Sequence, residues 1–113
     1  MTDATRKLLF DILEAGRAIQ DFVQRMTLDE YLADLRTRSA VERQFEIIGE
    51  ALSQMLKLDN SLSAQITASK QIISFRNVLI HGYAKVLNHL VWEIIEAKLP
   101  VLQQEVDQLL MKP

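Results

Sequence analysis

The chain has 113 residues, 49% of them hydrophobic and 25% charged, which is the balance of one ordinary globular domain. Its net charge of -2 provides no overall basic field, which argues against a protein that coats nucleic acid without sequence preference. Cysteine is absent, which excludes disulfides and thiolate metal sites. No apolar run has membrane-spanning length and no signal-peptide core is present, so we expect one cytoplasmic domain over residues 1–113, without a membrane anchor.

Apolar residues recur at intervals of three and four along three stretches of the chain, as amphipathic helices require. The stripes are Leu8, Ile12, Ala15, Ile19 and Phe22, then Val41, Phe45, Ile48, Leu52 and Met55, then Val91, Ile95, Leu102, Val106 and Leu109. No segment combines two-residue alternation with many β-branched residues, so no strand is predicted.

Capping residues predict where the first helices begin. Asp3 is the expected N-cap of the first helix. Residues 27–30 and 39–42 both read as capping boxes, which open a short second helix and a long third helix that ends near Leu58. The turn-like residues 58–61 then lead to a short helix over about residues 61–67.

The second half of the chain predicts two more helices. One spans about residues 69–80, with Gly82 at the position where a C-terminal glycine belongs. The other spans about residues 88–110, and Pro100 should kink or split it because proline lacks the N–H and crowds the preceding turn. The predicted fold is all-α, an antiparallel up-down four-helix bundle with one or two extra short helices. We expect a homodimer, since a second copy commonly covers the apolar surface that a small bundle leaves over.

The stretch FRNVLIHGYAKV, residues 75–86, places Arg76, His81 and Tyr83 among core-like residues. In an ideal helix Arg76 and His81 are separated by about 7.5 Å of rise and about 140° of turn. If the helix ends near His81, the loop that follows can turn the imidazole toward Arg76. A phosphate-binding arginine beside a histidine can catalyse transesterification of RNA without a metal. Asn77 is expected to support the motif helix through hydrogen bonds. The two histidines, His81 and His89, with scattered carboxylates are not a metal-ligand set.

Structural roles also explain these residues, and the residues alone favour such roles over catalysis, because a single R-x4-H pattern is a weak signature. Arg76 can pair with a carboxylate on a neighbouring helix such as Glu46 or Glu50. His81 can be a C-terminal cap, and Tyr83 an ordinary amphipathic residue at a helix end. A further signal is Gly49 within the long third helix, which costs about 1 kcal/mol relative to alanine and favours a close helix–helix approach near the motif.

The pattern R-x4-H-x-Y, here Arg76-NVLI-His81-Gly-Tyr83, resembles the signature of the HEPN ribonuclease superfamily and of its HepT-like (DUF86) branch. The resemblance extends beyond the motif to most of the chain, in order. It includes DILEAGRAIQDFV at residues 11–23, AVERQFEIIGEAL at residues 40–52, Trp92, and LPVL at residues 99–102. Four ordered matches are far more specific than the motif alone.

The resemblance implies a homodimeric bundle in which the two motifs meet in a cleft at the dimer interface. It implies that Arg76 and His81 catalyse metal-independent RNA cleavage and that no cofactor is needed. It also implies a toxin–antitoxin pair, in which a minimal nucleotidyltransferase (MNT) antitoxin transfers AMP to Tyr83 and silences the toxin. Added phosphates would put negative charge where the RNA phosphate must sit.

Two segments depart from the family pattern. Residues 61–74 lack the proline and tryptophan that the family often has before the motif, and residues 84–87 replace the frequent F-G-x-D. These departures concern substrate choice and the edges of the cleft more than the fold. The alternative function is a non-catalytic helical dimer that docks the nucleotidyltransferase or binds its substrate.

Overall fold

A computed structural model describes residues 1–81 and 88–112 of the chain. They form α1 (Asp3–Phe22), α2 (Leu28–Ala33), α3 (Leu35–Leu58), a 3-10 helix (Asn60–Ala64), α4 (Ser69–Ile80), α5 (Asn88–Glu93), a π-helical stretch (Ile94–Lys98) and α6 (Leu99–Met111). No strand occurs within these two ranges. The predicted all-α class and helical bundle are confirmed, while the expected role of Gly82 at the end of α4 falls outside the described residues.

Helix α3 is the centre of the bundle because it packs against both α1 and α4, while α6 packs on α1. The predicted stripe of α3 is buried at every position: Val41, Phe45, Ile48, Leu52 and Met55. The predicted stripe of the C-terminal helices is also buried, whereas the stripe of α1 is shifted by one residue at its start. There Leu9 is fully buried and Leu8 only partly, and Phe22 at the helix end is exposed.

Two predicted helix starts are wrong because a capping side chain lies earlier in the chain. Thr2, and not Asp3, caps α1, and its hydroxyl accepts a hydrogen bond from the Thr5 N–H at 3.2 Å. Helix α3 begins at Leu35 and not near Ser39, because the Asp34 carboxylate accepts hydrogen bonds from both the backbone N–H and the hydroxyl of Thr37. Residues 39–42 therefore lie inside a helix that is already formed.

The other predicted connections agree more closely with the structure. Thr27 and Glu30 form the predicted reciprocal capping box at the start of α2. Helix α3 ends at Leu58 as predicted, and Asp59 then caps the short 3-10 helix, which is shorter and begins earlier than the helix predicted over residues 61–67.

Pro100 splits the C-terminal helix in the way its missing N–H predicts. It lies in the first turn of α6, directly after a π-helical stretch, so the chain stays helical on both sides of the proline. The turn before it, Ile94–Lys98, widens to a π-helix, which relieves the crowding between the proline ring and the preceding turn. Among the residues described here, no helix is both long enough and apolar enough to cross a bilayer.

Candidate functional site

Helix α4 carries the motif, and its buried face fixes how the motif residues are presented. Ile72, Phe75 and Leu79 point into the core. Phe75 packs edge-on against Phe45 of α3, with 5.4 Å between ring centroids and 79° between ring planes. Arg76 follows Phe75 directly, so the rotation of α4 that buries Phe75 also places Arg76 beside α3.

Gly49 is the residue on α3 that makes room for Arg76. A Cβ atom added at Gly49 would lie 2.4 Å from the Arg76 Cβ and 2.7 Å from its Cγ. Real Cβ atoms essentially never approach so closely, and these two atoms cannot swing away because they are close to the α4 backbone. The predicted close approach of two helices at Gly49 is confirmed, and the side chain that uses the space is the motif arginine.

The guanidinium of Arg76 forms an ion pair with Glu50, the residue after Gly49. The Arg76 Nη2 lies 2.7 Å from the Glu50 Oε2. The Arg76 side chain is only 17% exposed, whereas that of Glu50 is 53% exposed. The Nε of Arg76 is buried and has no hydrogen-bond partner among residues 1–81 and 88–112. Of the two carboxylates considered from the sequence, Glu50 is therefore the partner.

Gln54 continues this line of contacts by one turn of α3. Its side-chain amide donates to the Glu50 Oε1 at 3.0 Å. This hydrogen bond, with a further contribution from the Arg76 charge, lowers the pKa of the Glu50 carboxyl below its usual range despite partial desolvation. Gln54 was not singled out from the sequence, although its position four residues after Glu50 is a signal for such a pair.

We expect Gly49→Ala to destabilise the protein, although alanine is the better helix former. Alanine gains about 1 kcal/mol of helix propensity, but overpacking against Arg76 costs about 1–3 kcal/mol, and the 2.4 Å contact places the cost at the upper end. Urea denaturation should show that the free energy of unfolding falls by about 1–2 kcal/mol in total.

Gly16→Ala is the matched control, because Gly16 is also a buried helical glycine. The atoms that its Cβ would meet belong to the flexible end of Gln103, at 3.1 Å and beyond. We expect this variant to stay within about 1 kcal/mol of the parent chain. Equal stability of the two variants would show that Arg76 can pack against α3 without a glycine at position 49.

His81 lies at the end of α4 and is exposed to solvent. It is the C-cap residue of the helix, and its backbone N–H donates to the Asn77 carbonyl at 3.2 Å. Asn77 is also exposed, and its side chain makes no hydrogen bond within the described part of the chain. Tyr83 lies outside the described residues, as do the departures at residues 84–87.

Two grooves border this part of the bundle. The first, of about 240 Å³, runs between α1 and α3 and contains Glu50, Gln54, Arg43 and the carboxylates of Asp11 and Glu46. The second, of about 430 Å³, is mostly apolar and lies between α4 and the C-terminal helices. Its lining residues are Gln71, Ser74, Phe75, Val78, Leu90 and Ile94. Helix α4 thus has a charged side at Arg76 and an apolar side at Val78.

A second buried cluster holds α2 against α5. Tyr31 is fully buried and packs on Trp92 with 5.2 Å between ring centroids. Burial and then the nearby Glu42 carboxylate raise the pKa of the Tyr31 hydroxyl, which has no hydrogen-bond partner among the described residues. Trp92, which the sequence placed in the family pattern, therefore packs against Tyr31.

Within the described ranges, no group of three or more His, Asp or Glu side chains is arranged to hold a metal ion. What the described site offers chemically is a mostly buried guanidinium with donors that Glu50 does not use, and an exposed imidazole five residues later at the end of the same helix. A guanidinium of this kind binds phosphate oxygens, and an imidazole transfers protons near neutral pH.

Comparison with known proteins agrees with these features. The family model described as "Ribonuclease HepT-like" matches residues 12–109. The chain is 34% identical over 105 residues to "Putative RNase MJ0127" of Methanocaldococcus jannaschii, which covers 93% of this chain and 86% of that protein. It is 29% identical over 109 residues to "Probable ribonuclease HepT" of Thermococcus cleftensis, covering 96% and 98%. No solved structure gives a significant match. The chain belongs to the HepT-like ribonuclease family.

Proposed function

We propose that this chain is an endoribonuclease that cleaves RNA by metal-independent transesterification. What supports the proposal most is helix α4, which holds Arg76 in a fixed place against α3 and ends at the exposed His81. Membership of the HepT-like ribonuclease family points to the same substrate. Residues 1–113 act in this proposal as a single HEPN/HepT-like domain.

The reaction uses the 2′-hydroxyl of the RNA as the nucleophile. Its oxygen attacks the adjacent phosphorus, the bond from phosphorus to the 5′-oxygen of the next nucleotide breaks, and a 2′,3′-cyclic phosphate remains. His81 takes the proton from the 2′-hydroxyl or gives one to the leaving 5′-oxygen, and solvent water exchanges the second proton. Arg76 stabilises the negative charge on the phosphorane through N–H donors that Glu50 leaves free.

We further propose that the active species is a homodimer with the two motifs at its interface. Helix α4 has exposed apolar surface beside the motif, namely the groove at Val78 and Leu90 and the half-exposed Ile80. A second copy of the chain would bury this surface and would bring two sets of Arg76 and His81 together. Light scattering on the purified chain measures the mass of the particle in solution and thereby tests whether it is a dimer.

The proposed biological role is that of a toxin in a toxin–antitoxin pair. A partner nucleotidyltransferase of the MNT type transfers AMP to the hydroxyl of Tyr83 and silences cleavage. The added phosphate would compete with RNA for the donors of Arg76. Incubation of the two proteins with ATP, followed by mass spectrometry and an RNA cleavage assay, tests both the modification and its effect.

The experiment that tests the enzymatic function uses the purified full chain and total RNA in excess EDTA. We expect cleavage products that end in 2′,3′-cyclic phosphates, since an arginine and a histidine suffice for this chemistry. Mass spectrometry must first show that Tyr83 is unmodified. An absence of cleavage by folded, unmodified protein would contradict the proposal and would favour the docking subunit. The Arg76–Glu50 ion pair is also compatible with this second function, because a purely structural arginine makes the same pair.

A further inference from the structure

Helix α3 holds Arg76 in two places, along its aliphatic stem and at its guanidinium. The Arg76 Cβ and Cγ lie over Gly49, and its Nη2 is fixed by the Glu50 carboxylate at 2.7 Å. Glu50 is itself fixed by the amide of Gln54 at 3.0 Å. Three side chains, from Gln54 through Glu50 to Arg76, therefore connect α3 to the motif helix.

A guanidinium has five N–H donors, and the ion pair with Glu50 occupies a donor on Nη2. An unanchored arginine has considerable rotamer freedom, which it loses when it binds a phosphate. An arginine that is already held loses less, so its remaining donors are better arranged for a phosphorane than those of a free side chain.

Glu50 also has an opposite effect on RNA. Its carboxylate is half exposed and negatively charged, and it lies beside the groove that contains Glu46 and Asp11. A negative charge close to a bound phosphate weakens the binding of RNA. The hydrogen-bond acceptor of Glu50 therefore helps the chemical step, whereas its charge hinders the binding of substrate.

We propose that Glu50 is the positioning residue for Arg76, and that it fixes the guanidinium through its acceptor oxygen. The assignment rests on the proposed function, in which Arg76 stabilises the phosphorane. It extends that function to a residue outside the R-x4-H-x-Y motif. Two substitutions distinguish the role of the acceptor oxygen from that of the negative charge. Glu50→Gln removes the charge but keeps an oxygen that can accept from the Arg76 Nη2, whereas Glu50→Ala removes both the charge and the oxygen.

The kinetic test measures kcat and KM for a short synthetic RNA with the parent chain and three variants. We expect Glu50→Ala to lower kcat by about tenfold or more, because misplacement of a catalytic group by about 1 Å costs on the order of 100-fold. Glu50→Gln should keep kcat within about threefold and lower KM. Glu46→Gln is the matched control, since Glu46 lines the same groove without pairing with Arg76, and both constants should stay within about twofold.

A chemical test measures the same anchoring without relying on RNA cleavage. Phenylglyoxal modifies arginine side chains, and mass spectrometry gives the rate at Arg76 relative to Arg25, an exposed arginine in the turn after α1. We expect modification of Arg76 to be several-fold faster in Glu50→Ala than in the parent chain, and near the parent rate in Glu50→Gln.

The two tests distinguish failure of this assignment from failure of the proposed function. If the parent chain does not cleave RNA, the function fails, and the modification rates alone decide whether Glu50 anchors Arg76. An unchanged kcat together with an unchanged modification rate in Glu50→Ala would overturn the assignment. So would a Glu50→Gln variant as impaired as Glu50→Ala, because the acceptor oxygen would then not suffice. Circular dichroism confirms that each variant is folded.

Discussion

His81→Ala is expected to lower the rate of RNA cleavage by about 100- to 10,000-fold, the usual contribution of one general acid or base. The loss should occur without a change in fold, because His81 is an exposed residue at the end of α4. Its contribution to the helix is a backbone hydrogen bond to the Asn77 carbonyl, which alanine retains. Cleavage of a labelled RNA in excess EDTA gives the rate, and urea denaturation gives the stability.

His89→Ala is the matched control for this experiment, because His89 is also an exposed histidine at a helix end, in α5. We expect it to cleave RNA at close to the parent rate, and both variants to unfold within about 0.5 kcal/mol of the parent chain. If both variants lose activity equally, the effect belongs to the region and not to the imidazole of His81. If His81→Ala retains full activity, His81 does not transfer the proton.

The helices were predictable from the sequence because burial imposes a period on the apolar residues. The stripe that begins at Val41 is buried at every position, and α4 has the predicted bounds. The start of α3 was not predictable from one local signal. Residues 39–42 have the composition of a capping box, yet Asp34 provides a cap five residues earlier, and the helix then runs through the later signal. A capping motif marks a helix start only where no earlier cap competes.

The partner of Arg76 shows what a single sequence leaves open at the site. Periodicity places Glu46 and Glu50 on the same side of α3, since they are four residues apart, and does not say which of them faces α4. That choice depends on how far α4 is shifted along α3, which the contact at Gly49 decides. The glycine itself was the available signal, because a helix keeps such a residue where another helix must approach closely.

Phe45→Ala is expected to cause the largest loss of stability among the substitutions considered. Phe45 is fully buried at the centre of α3, and truncating a buried phenylalanine to alanine costs about 3–5 kcal/mol. Its edge-to-face contact with Phe75 is worth about 0.5–1.5 kcal/mol beyond the buried area. A domain of this size is stable by about 5–15 kcal/mol in total, so the loss leaves a small margin or none. Urea denaturation followed by circular dichroism measures the loss in the free energy of unfolding.

Phe10→Ala is the control for the loss of an aromatic ring alone, because Phe10 on α1 is 53% exposed. We expect its stability to stay within about 0.5 kcal/mol of the parent chain. A loss at Phe45 no greater than that at Phe10 would contradict the placement of Phe45 in the core.

Phe45→Leu tests how this part of the core supports the motif, since leucine fills part of the space and should leave the chain folded. Phe75 directly precedes Arg76, and its ring is held by Phe45, so the same contact that stabilises the bundle sets the rotation of α4. We expect the folded Phe45→Leu variant to lose RNA cleavage as well as stability. Unchanged cleavage in that variant would show that Gly49 and Glu50 alone are enough to place Arg76.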